Sequence, residues 1–246
     1  MTELLILGLE TATLAGSIAV LRGSKILTNR NGNPGVSHSN TLLTDIDEVL
    51  TSIGKSIKDI DLFAVASGPG SFTGLRIGLA TVKALTTTLD RPAIGIPTLD
   101  AIAHSAGVSQ ATVAMLPAGR GEVFVQMLTM QENGEVMALD DARHLPPVRA
   151  IENYLDRGEV LWAGDGAQNY SNVIREFALK AGYSFISDAP VKFESRPKAW
   201  VLAEPPLSLA EHVALLAVNR VQDQSGLTAN SLRAMYVRPS DAEIKV

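Results

Sequence analysis

The amino-acid sequence predicts an α/β fold in which two lobes repeat the element order β-β-β-α-β-α. Short apolar runs between turn residues predict strands, and apolar residues three or four positions apart predict helices. Both patterns occur in the same order twice along the chain, from about residue 3 and again from about residue 111. Because the repeat lies in the element order and not in residue identity, it predicts a duplicated topology.

The first lobe begins with three short strands and a helix. The strands are the runs LLILGLE, GSIAVL and SKILTN, and the segments between them are short enough for hairpins. These runs therefore predict an antiparallel meander. Apolar residues then recur at helical spacing and predict a helix over about Ser39–Ile53.

A buried strand and a glycine-rich loop follow. The continuous apolar run DLFAVAS is typical of a parallel strand that is covered on both faces. The loop SGPGSFTG leads directly into a second helix, which ends at about Leu89 because Pro92 cannot continue it. The run AIGIP predicts the next strand, and another helix begins at about Thr98.

The second lobe repeats this order. Its strands are predicted at ATVAMLP, EVFVQML, GEVMALD and EVLWAG, with helices over about Val148–Leu155 and Gln168–Ala181. The proline-rich tract ESRPKAWVLAEPP precedes a final helix near Leu207–Val221, and RAMYVRPSDAEIKV trails as a strand-like tail. We expect three segments: an N-terminal lobe over 1–106, a C-terminal lobe over 107–206, and a helix and tail over 207–246 that pack back on the N-terminal lobe.

The composition favours a globular protein of the cytoplasm. At 246 residues, of which 46% are hydrophobic, the chain can bury a sizeable core. It contains no cysteine, which excludes disulfides and cysteine nucleophiles and fits a reducing compartment. The formal net charge of -5 has the wrong sign for binding nucleic acid alone, so an RNA role requires a basic partner. The apolar runs are too short or too interrupted to predict a membrane span.

The glycine-rich loop does not match the common catalytic or phosphate-binding motifs. A P-loop requires a lysine and a hydroxyl residue after its last glycine, whereas Leu75 and Arg76 follow Gly74. A dinucleotide-binding loop has two residues between its last two glycines, and this loop has three. A hydrolase elbow has glycines two residues before and after its serine, and Ser71 has proline and threonine there.

Two interpretations of the glycines remain. Gly74 and Gly78 lie one helical turn apart, so together they remove side chains from one helix face and let another backbone approach. Each costs about 1 kcal/mol of helix propensity relative to alanine, which a close contact must offset. Close packing inside the domain is favoured from these residues alone, and a helix-to-helix subunit interface is the alternative.

The segment GLETATLAGSIAV resembles the first hairpin of actin-like nucleotide-binding folds, where a carboxylate and hydroxyls approach magnesium and phosphate. Glu10, Thr11 and Thr13 would be those groups here. An ordinary threonine-rich turn is favoured unless the other lobe supplies a matching hairpin. The segment in that position, MLPAGRGEVFVQM, offers Pro117, which has no backbone donor and no side-chain acceptor.

Two further features carry weaker indications. The segment AGDGAQNY places Asp165 between a strand and a helix, where it could meet an anion or, more commonly, cap the turn. The four histidines lack metal-ligand spacing, so neither a metal site nor a catalytic constellation is predicted. His38, in a Gly/Asn-rich loop, is the only histidine with a functional indication.

The most specific indication comes from six segments taken together: ILGLETAT, HSNTLLTDIDEVL, SGPGSFTGLRIGLATVKAL, RGEVFVQML, AGDGA and AMYVRPSDAE. They resemble the bacterial TsaB (YeaZ) family, a paralogue of TsaD in the actin-like ATPase superfamily. The resemblance implies a two-lobed actin-like (ribonuclease H-like) fold and a role in making N6-threonylcarbamoyladenosine at position 37 of tRNAs. In that family TsaB is the non-catalytic subunit, TsaD transfers the threonylcarbamoyl group, and the small ATPase TsaE completes the complex.

The resemblance also implies where partners bind. Family members pair with TsaD, or with a second copy when alone, through two helices that match about Ser39–Ile53 and Gly74–Leu89 here. The glycines would then let a partner helix approach. The implied interface residues are Leu42, Ile46, Val49, Gly70, Ser71, Phe72, Thr73, Gly74, Leu75, Arg76, Gly78, Leu79 and Val82.

The resemblance implies no cofactor for the isolated chain. ATP would bind only at the shared interface of the complex, and tRNA would be contacted only through the complex. The vestigial nucleotide-binding candidates are Glu10, Thr11, Thr13 and Asp165. A stand-alone actin-like ATPase or small-molecule kinase is the alternative function, since the first three of these residues could contact metal and phosphate.

Overall fold

The structure is a computed structural model that describes residues 3–187, 198–221, 228 and 230–237. The chain divides into two compact units. The first unit contains the described residues up to Ala101 together with those from Leu207 to Tyr236. The second unit contains those from Ile102 to Pro206 together with Val237.

Strands and helices alternate along the described residues in both units. The strands are β1 (Leu5–Glu10), β2 (Ser17–Arg22), β3 (Lys25–Asn31), β4 (Leu62–Gly68), β5 (Ala93–Pro97), β6 (Ser109–Gly119), β7 (Glu122–Met130), β8 (Val136–Ala138), β9 (Arg143–Leu145), β10 (Val160–Ala163), β11 (Ser184–Ile186) and β12 (Ala199–Leu202). The helices are α1 (His38–Ser52), α2 (Phe72–Leu89), α3 (Thr98–Ala106), α4 (Pro147–Glu152), α5 (Asp165–Asn169), α6 (Ser171–Lys180) and α7 (Leu209–Arg220), with a 3-10 turn at Ile57–Asp59.

The sheet of the first unit has the strand order β3-β2-β1-β4-β5. Strands β1, β2 and β3 pair antiparallel, and β4 lies parallel to both β1 and β5. The predicted meander and the predicted buried parallel strand are therefore confirmed. Every residue of β1 and of β4 is buried, because helices cover both faces of the sheet.

The two faces of β1 meet different helices. Leu5, Leu7 and Leu9 point to one face and belong to the hydrophobic core that α1 and α2 complete. Gly8 points to the other face, where α7 crosses so closely that a Cβ atom on Gly8 would lie 2.5 Å from the carbonyl oxygen of Ala210. The backbone N–H of Ala210 donates to the Ser17 hydroxyl at 2.9 Å, which satisfies one donor of the helix start.

The second unit repeats the sheet order of the first. Its strands run β11-β12-β10-β6-β7-β8, so β8, β7, β6, β10 and β12 correspond in order to the five strands of the first sheet. The added strands are β11 at one edge and β9, which pairs with β7. Trp162 and Trp200 fill the core, with ring centroids 5.1 Å apart. The predicted repetition of element order is confirmed.

Three details of the second unit differ from the prediction. The sequence does not predict strands β9, β11 and β12, which have three or four residues each. The helix predicted over Gln168–Ala181 begins at Asp165 and is interrupted at Tyr170, whose φ of -110° and ψ of 18° leave helical geometry. The strand-like tail is wrong for residues 233–237, which form no strand, and residues 238–246 lie outside the described residues. In the described part of the chain, no helix is long and apolar enough to cross a membrane.

The contact of Gly8 with α7 predicts a specific cost for adding one methyl group. We expect Gly8→Ala to lower the free energy of unfolding by about 1–3 kcal/mol, because the new Cβ atom meets a backbone oxygen that cannot rotate away. Urea denaturation followed by circular dichroism measures this change. Gly35→Ala is the matched control, since its Cβ atom would meet only the end of the Asn33 side chain at 3.3 Å. Equal stability of the two variants would contradict the contact.

Candidate functional site

The carboxylate of Glu10 ends β1 and is fully engaged with the following turn. One carboxylate oxygen accepts the backbone N–H of Thr13 at 2.7 Å, and the other accepts the Thr13 hydroxyl at 2.7 Å. The Thr13 hydroxyl in turn accepts the backbone N–H of Gly16 at 3.1 Å. The Glu10 side chain is 1% exposed, and this burial raises the pKa of its carboxyl group. Glu10 and Thr13 therefore fasten the turn between β1 and β2.

Thr11 joins the same turn to the start of α2. Its hydroxyl donates to the carbonyl oxygen of Gly74 at 2.8 Å. The backbone N–H of Ser71 donates to the carbonyl oxygen of Ala12 at 2.8 Å, which makes a second link between the hairpin and the glycine loop. The three hairpin residues predicted as nucleotide contacts are thus all used in bonds that hold the fold.

The glycines of the loop face the hairpin. A Cβ atom on Gly74 would lie 1.9 Å from the carbonyl oxygen of Thr11, and one on Gly78 would lie 2.3 Å from the Thr11 hydroxyl. A Cβ atom on Gly70 would lie 2.6 Å from the Cβ atom of Ala12. The interpretation of these glycines as a bare surface for a partner helix is therefore wrong, because the chain's own hairpin occupies that space. Close packing inside the unit explains them.

The apolar residues assigned to the partner interface form the hydrophobic core instead. Each is less than 9% exposed and is packed inside the first unit; they are Leu42, Ile46, Val49, Leu75, Leu79 and Val82. Ser71 caps the N-terminus of α2, where its hydroxyl accepts the backbone N–H of Gly74 at 3.2 Å. Of the predicted interface residues, Ser71, Thr73 and Arg76 are exposed, and Gly70 and Phe72 are half-buried.

Helices α1 and α2 contact each other and leave one side uncovered by the described residues. We call this surface the outer helix face. Its exposed residues are Asn40, Leu43, Thr44, Asp47 and Thr51 of α1, and Thr73, Arg76, Ala80, Lys83, Ala84 and Thr87 of α2. Leu43 is 67% exposed, which is unusual for a leucine in a helix with four buried apolar residues. Sequence reasoning gave Leu43 no separate role, because it lies three residues before Ile46 and seven before Leu50 and therefore fits the spacing of the apolar stripe.

Asp165 belongs to the second unit, whereas the hairpin belongs to the first. It is the first residue of α5, a helix of only five residues, and its side chain is exposed. The preceding Gly164 packs so closely on β6 that its Cβ atom would lie 2.6 Å from the carbonyl oxygen of Met115. Such a short helix aligns few N–H groups, so it offers little attraction for an anion.

A small, open pocket lies beside the hairpin in the first unit. Glu10, Arg30, His38 and Asp45 contribute polar side chains to its wall. Arg30 pairs with Asp45 at 3.0 Å, and the Nε2 atom of His38 lies 3.2 Å from the carbonyl oxygen of Thr13. Within the described ranges no three His, Asp or Glu side chains converge to hold a metal ion. The polar groups of this wall therefore already have partners within the first unit.

The contact of Gly78 with Thr11 predicts that alanine at position 78 destabilises the protein, although alanine normally stabilises a helix relative to glycine. Glycine-to-alanine changes inside helices normally stabilise by about 1 kcal/mol. We expect Gly78→Ala to destabilise this chain by about 1–3 kcal/mol, because the new methyl group displaces the Thr11 hydroxyl. In a Thr11→Ala background the same change should stabilise, since the nearest remaining atom is Cβ at 3.4 Å. Urea denaturation of the four proteins in this double-mutant cycle measures the coupling, and additive effects would contradict it.

The buried carboxyl group of Glu10 predicts a pH dependence of stability. Because burial raises its pKa above the ordinary 4.5, the folded chain binds a proton that the unfolded chain releases. The free energy of unfolding of the wild type should therefore fall, relative to Glu10→Gln, as the pH rises from about 4.5. Urea titrations of both proteins at several pH values measure this difference. Glu132→Gln, which removes an exposed carboxyl group, is the control, and a difference that stays constant with pH would sink the prediction.

Comparison with known proteins relates this fold to a family. A family model described as TsaD, tRNA N6-adenosine threonylcarbamoyltransferase, matches residues 35–158, about half of the chain. The tRNA threonylcarbamoyladenosine biosynthesis protein TsaB of Escherichia coli K12 is 31% identical over 179 residues, which cover 71% of this chain and 77% of that protein. Its Haemophilus influenzae namesake is 35% identical over 136 residues, 54% of this chain and 57% of that protein.

A solved structure extends the similarity to nearly the whole chain. YeaZ from Pseudomonas aeruginosa is 25% identical and superposes with a TM-score of 0.71 over 94% of this chain and 99% of that chain. The E. coli match exceeds 30% identity over more than two thirds of that relative. The chain therefore belongs to the TsaB (YeaZ) family.

Proposed function

We propose that the chain is a non-catalytic subunit in the synthesis of N6-threonylcarbamoyladenosine in tRNA, where it binds and stabilises a TsaD-type transferase. The observation that carries this proposal is the contrast between two surfaces of the first unit. The hairpin groups suited to metal and phosphate are bonded within the fold, while the outer helix face stays exposed. The names of the relatives support the same pathway.

We infer that both units descend from one actin-like lobe. The sheet order β3-β2-β1-β4-β5 of the first unit returns as β8-β7-β6-β10-β12 in the second, with three antiparallel-connected strands before the parallel ones. Such a repeat supports duplication of one ancestral fold.

The cytoplasm is the proposed location, since tRNA is the proposed target.

Any nucleotide of the complex is proposed to bind at an interface that both subunits share. The Glu10 carboxyl group has a raised pKa and spends both oxygens on Thr13, which weakens it as a ligand for a magnesium ion. An isolated chain that hydrolyses ATP would contradict this view and favour the alternative of a stand-alone ATPase or kinase. The measurement is phosphate release by the purified chain alone.

The charges of the outer helix face suit a subunit partner. Asp47 lies on α1, whereas Arg76 and Lys83 lie on α2, so the face carries both signs on adjacent helices. Such a face can pair with a second copy about a two-fold axis, which supports a homodimer when TsaD is absent. With a formal net charge of -5, the chain is proposed to meet tRNA only through the complex, which TsaE completes.

The proposed interface predicts a loss of binding from one exposed leucine. We expect Leu43→Arg to weaken binding to the TsaD of the same organism at least about tenfold, because a charged side chain would be buried at the contact. Titration calorimetry of the two purified proteins measures this affinity. Leu179→Arg is the matched control, since Leu179 is also an exposed helical leucine, at 57%, but lies on α6.

The same variants also serve in a functional assay. A reconstituted tRNA modification reaction should lose activity with Leu43→Arg and keep it with Leu179→Arg. Unchanged affinity and unchanged modification with Leu43→Arg would remove the outer helix face as the interface. Failure of the wild-type chain to bind TsaD at all would remove the proposed function.

A further inference from the structure

The C-terminal segment Leu232–Tyr236 is fixed against the end of β4 in the first unit. Leu232 is 1% exposed and belongs to the core of that unit. The backbone N–H of Met235 donates to the carbonyl oxygen of Ser67 at 2.7 Å. Gly68 makes room for this segment, since a Cβ atom there would lie 2.5 Å from the carbonyl oxygen of Met235. The buried side chain of Leu232 and the hydrogen bond of Met235 therefore fix the position of the adjacent Tyr236.

Tyr236 and the first turns of α2 form an aromatic and cationic cluster. The rings of Phe72 and Tyr236 have centroids 5.3 Å apart and are tilted by 41°. The guanidinium carbon of Arg76 lies 3.7 Å from the centroid of the Phe72 ring. We call these three residues the Arg76 cluster. It joins residues that are 160 positions apart in the sequence into one surface.

The cluster is accessible in the part of the chain that the structure describes. Tyr236 is 49% exposed, and the side chain of Arg76 is exposed. Among the residues that the structure describes, Arg76 makes no ion pair, and its contact is the one with Phe72. A guanidinium that rests on a ring loses less freedom when it binds, because its orientation is already restricted.

We propose that the Arg76 cluster binds a carboxylate-bearing segment of the TsaD-type partner. This inference rests on the proposed function and names the chemistry of one part of that interface. A planar guanidinium matches the two oxygens of a carboxylate, and the Tyr236 ring and hydroxyl can pack beside it. Arginine and tyrosine are also the residues that most often dominate protein interfaces.

The surroundings of the cluster favour a protein partner over RNA. Arg76 and Thr73 are part of the outer helix face, so the cluster continues the surface proposed for the partner. The acidic Asp47 and Glu48 side chains of α1 are exposed in the same unit, and the chain has a net charge of -5. RNA binding requires several cations along a run of phosphates, whereas the pairing of one carboxylate requires only one oriented arginine.

The test uses three variants, which remove the charge of the Arg76 side chain, replace its planar guanidinium by an ammonium group, or remove the Tyr236 ring. Arg76→Gln, Arg76→Lys and Tyr236→Ala are titrated against the TsaD of the same organism at about 50 mM and about 300 mM NaCl. We expect Arg76→Gln to weaken binding about tenfold or more at low salt, and its affinity to depend less on salt than that of the wild type. Arg76→Lys should recover only part of the loss, because an ammonium group binds a carboxylate through one point. Tyr236→Ala should weaken binding about fivefold or more.

Controls separate this effect from folding and from net charge. Arg175→Gln removes one exposed positive charge on α6 and should bind like the wild type. Thermal unfolding of each variant shows whether the fold is kept, and Tyr236→Ala provides the test if Arg76→Gln fails to fold.

The outcomes distinguish this inference from the proposed function. If the wild type binds TsaD and both Arg76→Gln and Tyr236→Ala bind equally well, the cluster proposal is overturned while the proposed function stands. If the wild type does not bind, both are overturned. If Arg76→Gln keeps its affinity for TsaD but lowers tRNA binding by the assembled complex, the cluster contacts RNA and the proposal of a carboxylate partner is overturned.

Discussion

The close contact between Thr11 and the first turns of α2 is the constraint on which the first unit depends. Gly74 and Gly78 leave no side chain between the helix and the hairpin, so the Thr11 hydroxyl reaches the Gly74 carbonyl oxygen. This contact fixes the turn in which Glu10 is bonded to Thr13. The side chains best suited to contact metal or phosphate, Glu10, Thr11 and Thr13, are therefore hydrogen-bonded within the fold. Helices α1 and α2 keep an exposed outer helix face.

Most of the fold could be predicted from the sequence because its signals are local. The alternating runs of β1 to β3, the continuous apolar run of β4 and the helical spacing in α1 and α2 each report their own structure over a few residues. Strand β12 could not be predicted in this way. Its four residues lie in a tract rich in proline, and it is a strand because β10 and β11 pair with it. Pairing between distant segments leaves no local signal of this kind.

The site was harder to predict than the fold for two physical reasons. The glycine spacing indicates that something approaches α2 closely, but the approaching residue, Thr11, is 63 positions away. The apolar stripe that includes Leu79 was assigned to a partner, although a helix on a sheet turns that stripe inward. The exposed Leu43 and the contact of Tyr236 with Phe72 need the three-dimensional arrangement before they can be seen.

The first unit is built from two segments that flank the second unit in the sequence, and this affects how the protein can fold. Helix α7 covers the face of β1 that carries Gly8, and Leu232 completes the core on the other face. The sheet that forms from the first hundred residues therefore keeps apolar surface exposed while the intervening unit is synthesised. A chain emerging from the ribosome can therefore close its first unit only after the second has been synthesised, so the apolar faces of the first sheet stay open to non-native contacts during that interval.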